Sequence, residues 1–182
     1  MSKSLTFNHS LYHRVSSPTK QQRCEQIQQY FYDALNNDSK VLEKTHFFNG
    51  RYENIYFKDP DFQAMNALVT EVKNHVAEVL SCSAKEISMD FWFNDMPPGH
   101  VTDWHRHDVM DEKLSGVFYV KVPQNSGDLL IEEGTEIERI KPKENDFVFF
   151  KPDQNHYVER NKSDESRLSI GMNFGYLHDK ED

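Results

Sequence analysis

The chain has 182 residues, a net charge of −9 and no basic run, which argues against a nucleic-acid partner. No apolar stretch approaches the roughly 18 residues of a membrane span, and Met1–Ser10 lack the apolar region of a signal peptide. Cys24 and Cys82 stand alone, without metal or redox spacing, so the expectation is a cytoplasmic protein with reduced thiols.

Residues 1–18 are polar and show no clear period. Ser16-Ser17-Pro18-Thr19 can open a helix, with a hydroxyl cap and proline in the first turn. From Gln21 to Leu35, Ile27, Phe31 and Leu35 recur at helical spacing with Tyr30 beside them, and Asn36-Asn37-Asp38-Ser39 ends the run. Phe47 to Tyr52 places Asn49-Gly50 between aromatic flanks, a hairpin signal because both turn residues tolerate positive φ. Ile55-Tyr56-Phe57 continues its second strand. Arg51 and Tyr52 are candidates either for substrate contact at a barrel mouth or for a solvent-facing or structural place. Asp59-Pro60-Asp61 is expected to cap a second helix, Pro60 to Leu80, with Leu68, Val72, Val76 and Leu80 every fourth residue behind Phe62 and Met65.

From Ile87 the texture changes. Ile87–Asn94, Val101–His107, Ser115–Val122, Asp128–Glu132, Glu136–Ile140, Asp146–Lys151, His156–Arg160 and Ser166–Phe174 read as short strands. About eight strands at this spacing, divided by Gly, Pro and Asn, argue for a sandwich or barrel. The expected architecture is α+β in one domain, 1–182. A helical and hairpin part (1–85) would buttress a jelly-roll, cupin-like core (86–176), and the charged His178–Asp182 tail would be frayed.

Within that core three histidines stand out. His105 and His107 occupy alternate positions, so on a strand both imidazoles share one face. His156, far along the chain, joins them only if the fold brings distant strands together, as a jelly roll does. Three imidazoles suit iron, zinc, copper or nickel. Asp103, Asp108, Asp111 and Glu112 are the alternatives for the third ligand, and His107 ranks first. Further on, Arg167, Ser169, Gly171 and Asn173 alternate with Leu168, Ile170, Met172 and Phe174. The apolar set would pack against helices, and the polar set would line the interior. A guanidinium there needs an anionic partner, because an unpaired buried charge is costly. A carboxylate ligand held in a planar, two-pronged contact would supply it.

Trp92-Phe93-Asn94, His105-Arg106-His107, Leu114-Ser115-Gly116-Val117-Phe118-Tyr119-Val120, Asn145-Asp146-Phe147-Val148-Phe149-Phe150, His156 and Arg167-Leu168-Ser169 together resemble the iron(II)/2-oxoglutarate-dependent dioxygenases. The likeness is greatest to a microbial and phage group with a His-x-His motif. His107 stands where the wider superfamily has a carboxylate. The resemblance implies iron(II) at His105, His107 and His156, with 2-oxoglutarate at Arg167 and Ser169. Tyr119 would hydrogen-bond to the same carboxylate or serve as a core aromatic. It implies hydroxylation of a small metabolite, amino acid or peptidyl residue, with dioxygen consumed and succinate and carbon dioxide released. Trp92, Trp104 and Phe118 are candidates for shielding the site, or plain core. The rival readings are a three-histidine cupin-type dioxygenase that uses no 2-oxoglutarate, and a non-enzymatic metal-holding or sugar-binding jelly roll.

Overall fold

The computed structural model describes residues 5–18, 22–37, 40–58, 62–107 and 111–177. In chain order these form β1 (Tyr12–Ser16), α1 (Gln22–Asn36), β2 (Leu42–Phe48), β3 (Arg51–Phe57), α2 (Gln63–Leu80), a short 3-10 turn (Ala84–Glu86), β4 (Ile87–Met96), β5 (Thr102–His105), β6 (Leu114–Lys121), β7 (Leu129–Glu133), β8 (Glu136–Ile140), β9 (Asp146–Phe150), β10 (Asn155–Val158) and β11 (Arg167–Tyr176). The expected cap Asp59-Pro60-Asp61, the residues Thr19, Gln21, Asp38 and Ser39, and the tail His178–Asp182 lie outside the described residues. The residue that precedes α2 is Phe62, in extended backbone and without a side-chain cap.

The strands form two antiparallel sheets. The larger has seven strands in the order β1-β9-β6-β11-β4-β3-β2, and the smaller has four in the order β5-β10-β7-β8. The two are separate in their hydrogen bonding and pack through an apolar layer of Leu11, Tyr12, Tyr119, Val148 and Phe150 against Leu129, Ile131 and Ile140. This is the jelly-roll architecture expected from the strand spacing. The Asn49-Gly50 hairpin joins β2 to β3, and both turn residues have positive φ, 50° and 83°.

The outer face of the seven-stranded sheet is covered by the helices. Ile27 and Phe31 of α1 and Leu68, Val72 and Val76 of α2 are fully buried against Phe93, Phe118, Phe147, Phe149, Leu168, Ile170 and Phe174. Burying each such side chain contributes about 1.5–3 kcal/mol. The alternation read along β11 is realised, since Leu168, Ile170, Met172 and Phe174 all belong to this layer. The opposite residues of β11 therefore face the smaller sheet.

β1 carries no sequence period of its own. It forms because its backbone pairs with β9 from Tyr12↔Phe150 to Ser16↔Asp146, and Arg14 and Ser16 both hydrogen-bond the Asp146 carboxylate at 2.7 Å. No helix among the described residues is long and apolar enough to cross a membrane.

Candidate active site

β5 and β10 place His105 directly opposite His156. Their rings are 4.1 Å apart between centroids, and each is 5.1 Å from the ring of His107. One ring nitrogen from each of the three lies within 4.8 Å of the other two. The Nδ1 of His105 donates to the carbonyl of Asp103 at 2.8 Å, and the Nδ1 of His156 to that of Gln154 at 3.2 Å. A carbonyl only accepts, so the proton sits on Nδ1 and each Nε2 keeps its lone pair. This is the orientation a metal-binding imidazole needs.

His107 reaches the cluster differently from the expectation. β5 ends at His105, because β10, the one strand it pairs with, begins at Asn155 and offers no ladder beyond it. His107 therefore sits in the loop past the strand. Its backbone N–H donates to the Pro152 carbonyl at 2.8 Å, which ties that loop to the β9–β10 connection and turns the imidazole inward. No carboxylate joins the three among the described residues. Asp103 and Asp111 are exposed, and the carboxylate of Asp111 lies 3.9 Å from Lys113. Glu112 is outside the cluster as well, and Asp108 is outside the described residues.

Burial, reinforced by the charges of His105 and His46, pushes His107 down from 6.5 to about 4. Burial also pushes His156 well below its ordinary value, with His105 and His107 adding to the effect. Both are thus held neutral near pH 7, as metal ligation requires. Three imidazoles in a half-buried pocket fit a divalent transition metal.

Arg167 is the second candidate. It opens β11 on the inward face and is only 3% exposed. Its Nη1 donates to the Gly127 carbonyl at 2.9 Å, and its guanidinium carbon lies 5.7 Å from the ring centre of Tyr119. Nε is buried with no partner, and no carboxylate forms an ion pair with Arg167 among the described residues. Burial lowers its pKa and raises that of Tyr119 to about 12. Ser169 lies next along the same face, 4% exposed and opposite both Asn94 and Tyr119. A buried guanidinium with an orphaned N–H fits the carboxylate of a bound dicarboxylate.

The shielding candidates separate. Trp92 lies on the inward face of β4, 5.6 Å from His107, and packs over Gly171. Trp104 turns outward, 42% exposed and stacked on Tyr157. Phe118 belongs to the layer under the helices, because its position on β6 has the opposite parity to Tyr119. Phe150, which the sequence did not single out for the site, packs its ring 4.7 Å from His156.

Two further residues gain their place only here. Arg51 is neither exposed nor free. It donates to Asn94, Glu53, Thr102 Oγ1 and the carbonyls of Asp95 and Val101, at 2.9–3.3 Å. It thereby ties the hairpin to β4 and to the start of β5, three residues before His105. His46 holds a left-handed φ of 56° within β2, and its charge acts on both His107 and Glu53. No sequence signal marks that conformation, although histidine is among the residues that adopt it.

Fold and side chains together define a jelly-roll protein with a three-imidazole cluster and, on the inward face of β11, a buried arginine that forms no ion pair with a carboxylate among the described residues. Residues 91–175, which hold the three histidines and Arg167, match the model of the 2OG-Fe(II) oxygenase superfamily. No curated protein matches the chain. Among solved structures, a prolyl-4-hydroxylase of Pseudomonas putida is similar, at 13% identity and TM-score 0.72 over 90% of this chain and 92% of that one. A prolyl hydroxylase of Trichoplax adhaerens, in complex with a peptide fragment of the hypoxia-inducible factor oxygen degradation domain, is similar at 14% identity and TM-score 0.71, covering 92% and 84%. A non-heme alpha-ketoglutarate-dependent carbocyclase of nogalamycin biosynthesis is similar at 13% identity and TM-score 0.69, covering 90% and 78%. The match of segment 91–175 is thus to a superfamily of oxygenases that use iron(II) and 2-oxoglutarate.

Proposed function

We propose that the protein is a hydroxylase in which His105, His107 and His156 hold iron(II) and Arg167, with Ser169, holds the distal carboxylate of 2-oxoglutarate. The substrate is a small metabolite, an amino acid or a peptidyl residue. The observation that carries this reading is the buried Arg167, which has an unpartnered Nε and no carboxylate paired to it among the described residues. A three-histidine dioxygenase without 2-oxoglutarate has no use for such a group.

When bound, iron(II) together with 2-oxoglutarate supplies the activation of dioxygen, with the 2-oxo acid oxidised to succinate and carbon dioxide. The chain supplies position and exclusion of water. The carbonyls of Asp103 and Gln154 hold the Nδ1 protons of His105 and His156, so both Nε2 atoms stay free to ligate. Arg167 and Ser169 orient the dicarboxylate by its far end. Tyr119 packs beneath the guanidinium, and Trp92 and Phe150 wall the histidines with apolar surface.

The test is oxygen uptake and succinate release with iron(II), with and without 2-oxoglutarate, alongside calorimetry of 2-oxoglutarate binding. Succinate should form only with both. Arg167→Ala should weaken 2-oxoglutarate binding by about 2–5 kcal/mol and leave iron binding in place. Oxygen uptake that is indifferent to 2-oxoglutarate, or unchanged 2-oxoglutarate affinity in folded Arg167→Ala, would sink the proposal.

A further inference from the structure

Away from the metal-type cluster, the Nδ1 of His13, the Nε of Arg23 and the Nε2 of His75 are all buried without a hydrogen-bond partner. They come from β1, α1 and α2. Glu71 of α2 links the two helices, 2.5 Å from Arg23 Nη1 and 3.6 Å from His75 Nε2. His13 pairs with Phe149 of β9 on the helix-covered face of the sheet, and the two rings lie 6.3 Å apart. His75 packs 5.5 Å from the ring of Phe147, which is stacked 5.9 Å from that of Phe149. The two imidazoles thus rest on neighbouring rings of one strand, and the charge of His75 acts on His13.

We infer that His13 and His75 form an acid-sensitive catch: while neutral they let β1 close the edge of the seven-stranded sheet, and when charged they drive it off. The charged and titratable groups at this junction are few. The segment before β1 brings His9, β1 brings His13, α1 brings Arg23, and α2 brings Glu71, His75 and Glu78. β9 offers only phenylalanines on this face, since Asp146 takes Arg14 and Ser16 on the other. With the histidines neutral, one cation faces two carboxylates. With all three charged, four cations face the same two, and the added charges stand on both sides of the β1–α2 boundary. The carboxylate beside His75 is already held by Arg23. A buried ring that gains a proton without gaining an acceptor is costly.

The sign follows from His13. Burial first, then the charge of His75, pushes it below its ordinary 6.5, with Glu78 opposing and His9 adding. The released strand therefore takes up the proton more readily than the docked one, and acid below about 6.5 favours release. β1 is the element that must give. It has five residues, ends the sheet and pairs with β9 alone, whereas His75 belongs to an 18-residue helix anchored by Leu68, Val72 and Val76. Release also reaches the metal-type cluster. Tyr12 of β1 pairs with Phe150, and the ring of Phe150 packs 4.7 Å from His156.

The test is amide hydrogen exchange of the full chain at about pH 7.5 and about pH 5.5, corrected for intrinsic exchange and resolved by segment. Protection of β1 and β9 should fall about fivefold or more in acid, while that of α2 holds. His13→Asn and His75→Gln put an uncharged amide in place of each buried ring nitrogen. The chain carrying both should keep its β1 protection within about twofold across the same pH change. His107→Asn removes a member of the metal-type cluster and should leave the acid loss at β1 in place, which separates this catch from protonation of that cluster. Equal protection of wild-type β1 at both pH values overturns the inference, whether or not any variant folds. So does an acid loss of full size in the folded double variant, and so does an acid loss that His107→Asn abolishes.

Discussion

Gly171 and Trp92 face each other across β11 and β4 so closely that a Cβ on the glycine would stand 2.5 Å from the indole. The missing side chain is what lets Trp92 stand against the inner wall beside His107. Gly171→Ala must therefore displace the indole or the strand, at a cost of about 1–3 kcal/mol from overpacking. Thermal unfolding should show the loss, and tryptophan fluorescence should report the moved ring. Trp92→Phe in the same chain should recover most of the stability. An unchanged melting curve in Gly171→Ala would show that the contact does not matter.

The ligand set is open to a sharper test at His107. His107→Ala should lose most iron binding and all 2-oxoglutarate-dependent succinate. His107→Asp restores the carboxylate of the wider superfamily and should keep metal and part of the turnover. Asp103→Ala, Asp111→Ala and Glu112→Ala should retain iron, since none of these residues joins the cluster. Loss of iron in one of those three with retention in His107→Ala would reassign the third ligand.

Arg51 joins the hairpin to the strand that carries His105. Arg51→Ala leaves Glu53 and several acceptors without their donor, and breaking a buried pair of this kind costs about 3–5 kcal/mol. Denaturant unfolding should register that loss. Iron affinity should fall as well, because β5 loses its anchor at Thr102. Arg51→Lys should rescue little, since an ammonium cannot reproduce the fork. Wild-type stability in Arg51→Ala would remove this role.

The histidine cluster also predicts a pH dependence. Folding pushes His107 down from 6.5 to about 4 and His156 in the same direction. Between those values the unfolded chain binds more protons than the folded one, so the metal-free protein loses stability as pH falls from about 6.5 towards 4. The raised carboxyls of Glu53 and Asp95 act in the opposite sense. The informative quantity is therefore the difference between the wild type and His107→Asn, measured by denaturant unfolding across the series. Parallel curves for the two proteins would count against a suppressed His107.

Much of the molecule was legible from local pattern, because alternation and helical period are properties of consecutive residues. The split of β11 into Arg167, Ser169 and Gly171 on one face and Leu168, Ile170, Met172 and Phe174 on the other follows from the strand period alone. The Asn49-Gly50 turn and the apolar stripe of α2 are readable in the same way, whereas His156 joins His105 and His107 only through the fold. What the sequence left undecided depends on contacts between distant segments. β1 is a strand only because β9 offers it a ladder. His107 joins the cluster from a loop, held by Pro152, because β10 runs out beside His105. Arg51 read in isolation leaves substrate contact, solvent and a structural place open, and it is buried because β4 and β5 surround it with acceptors. The register between β4 and β11 alone brings Trp92 over a glycine, and so decides which tryptophan walls the site. A side chain's period is written in its neighbours along the chain, but its partners are set by which strands pair and in what register.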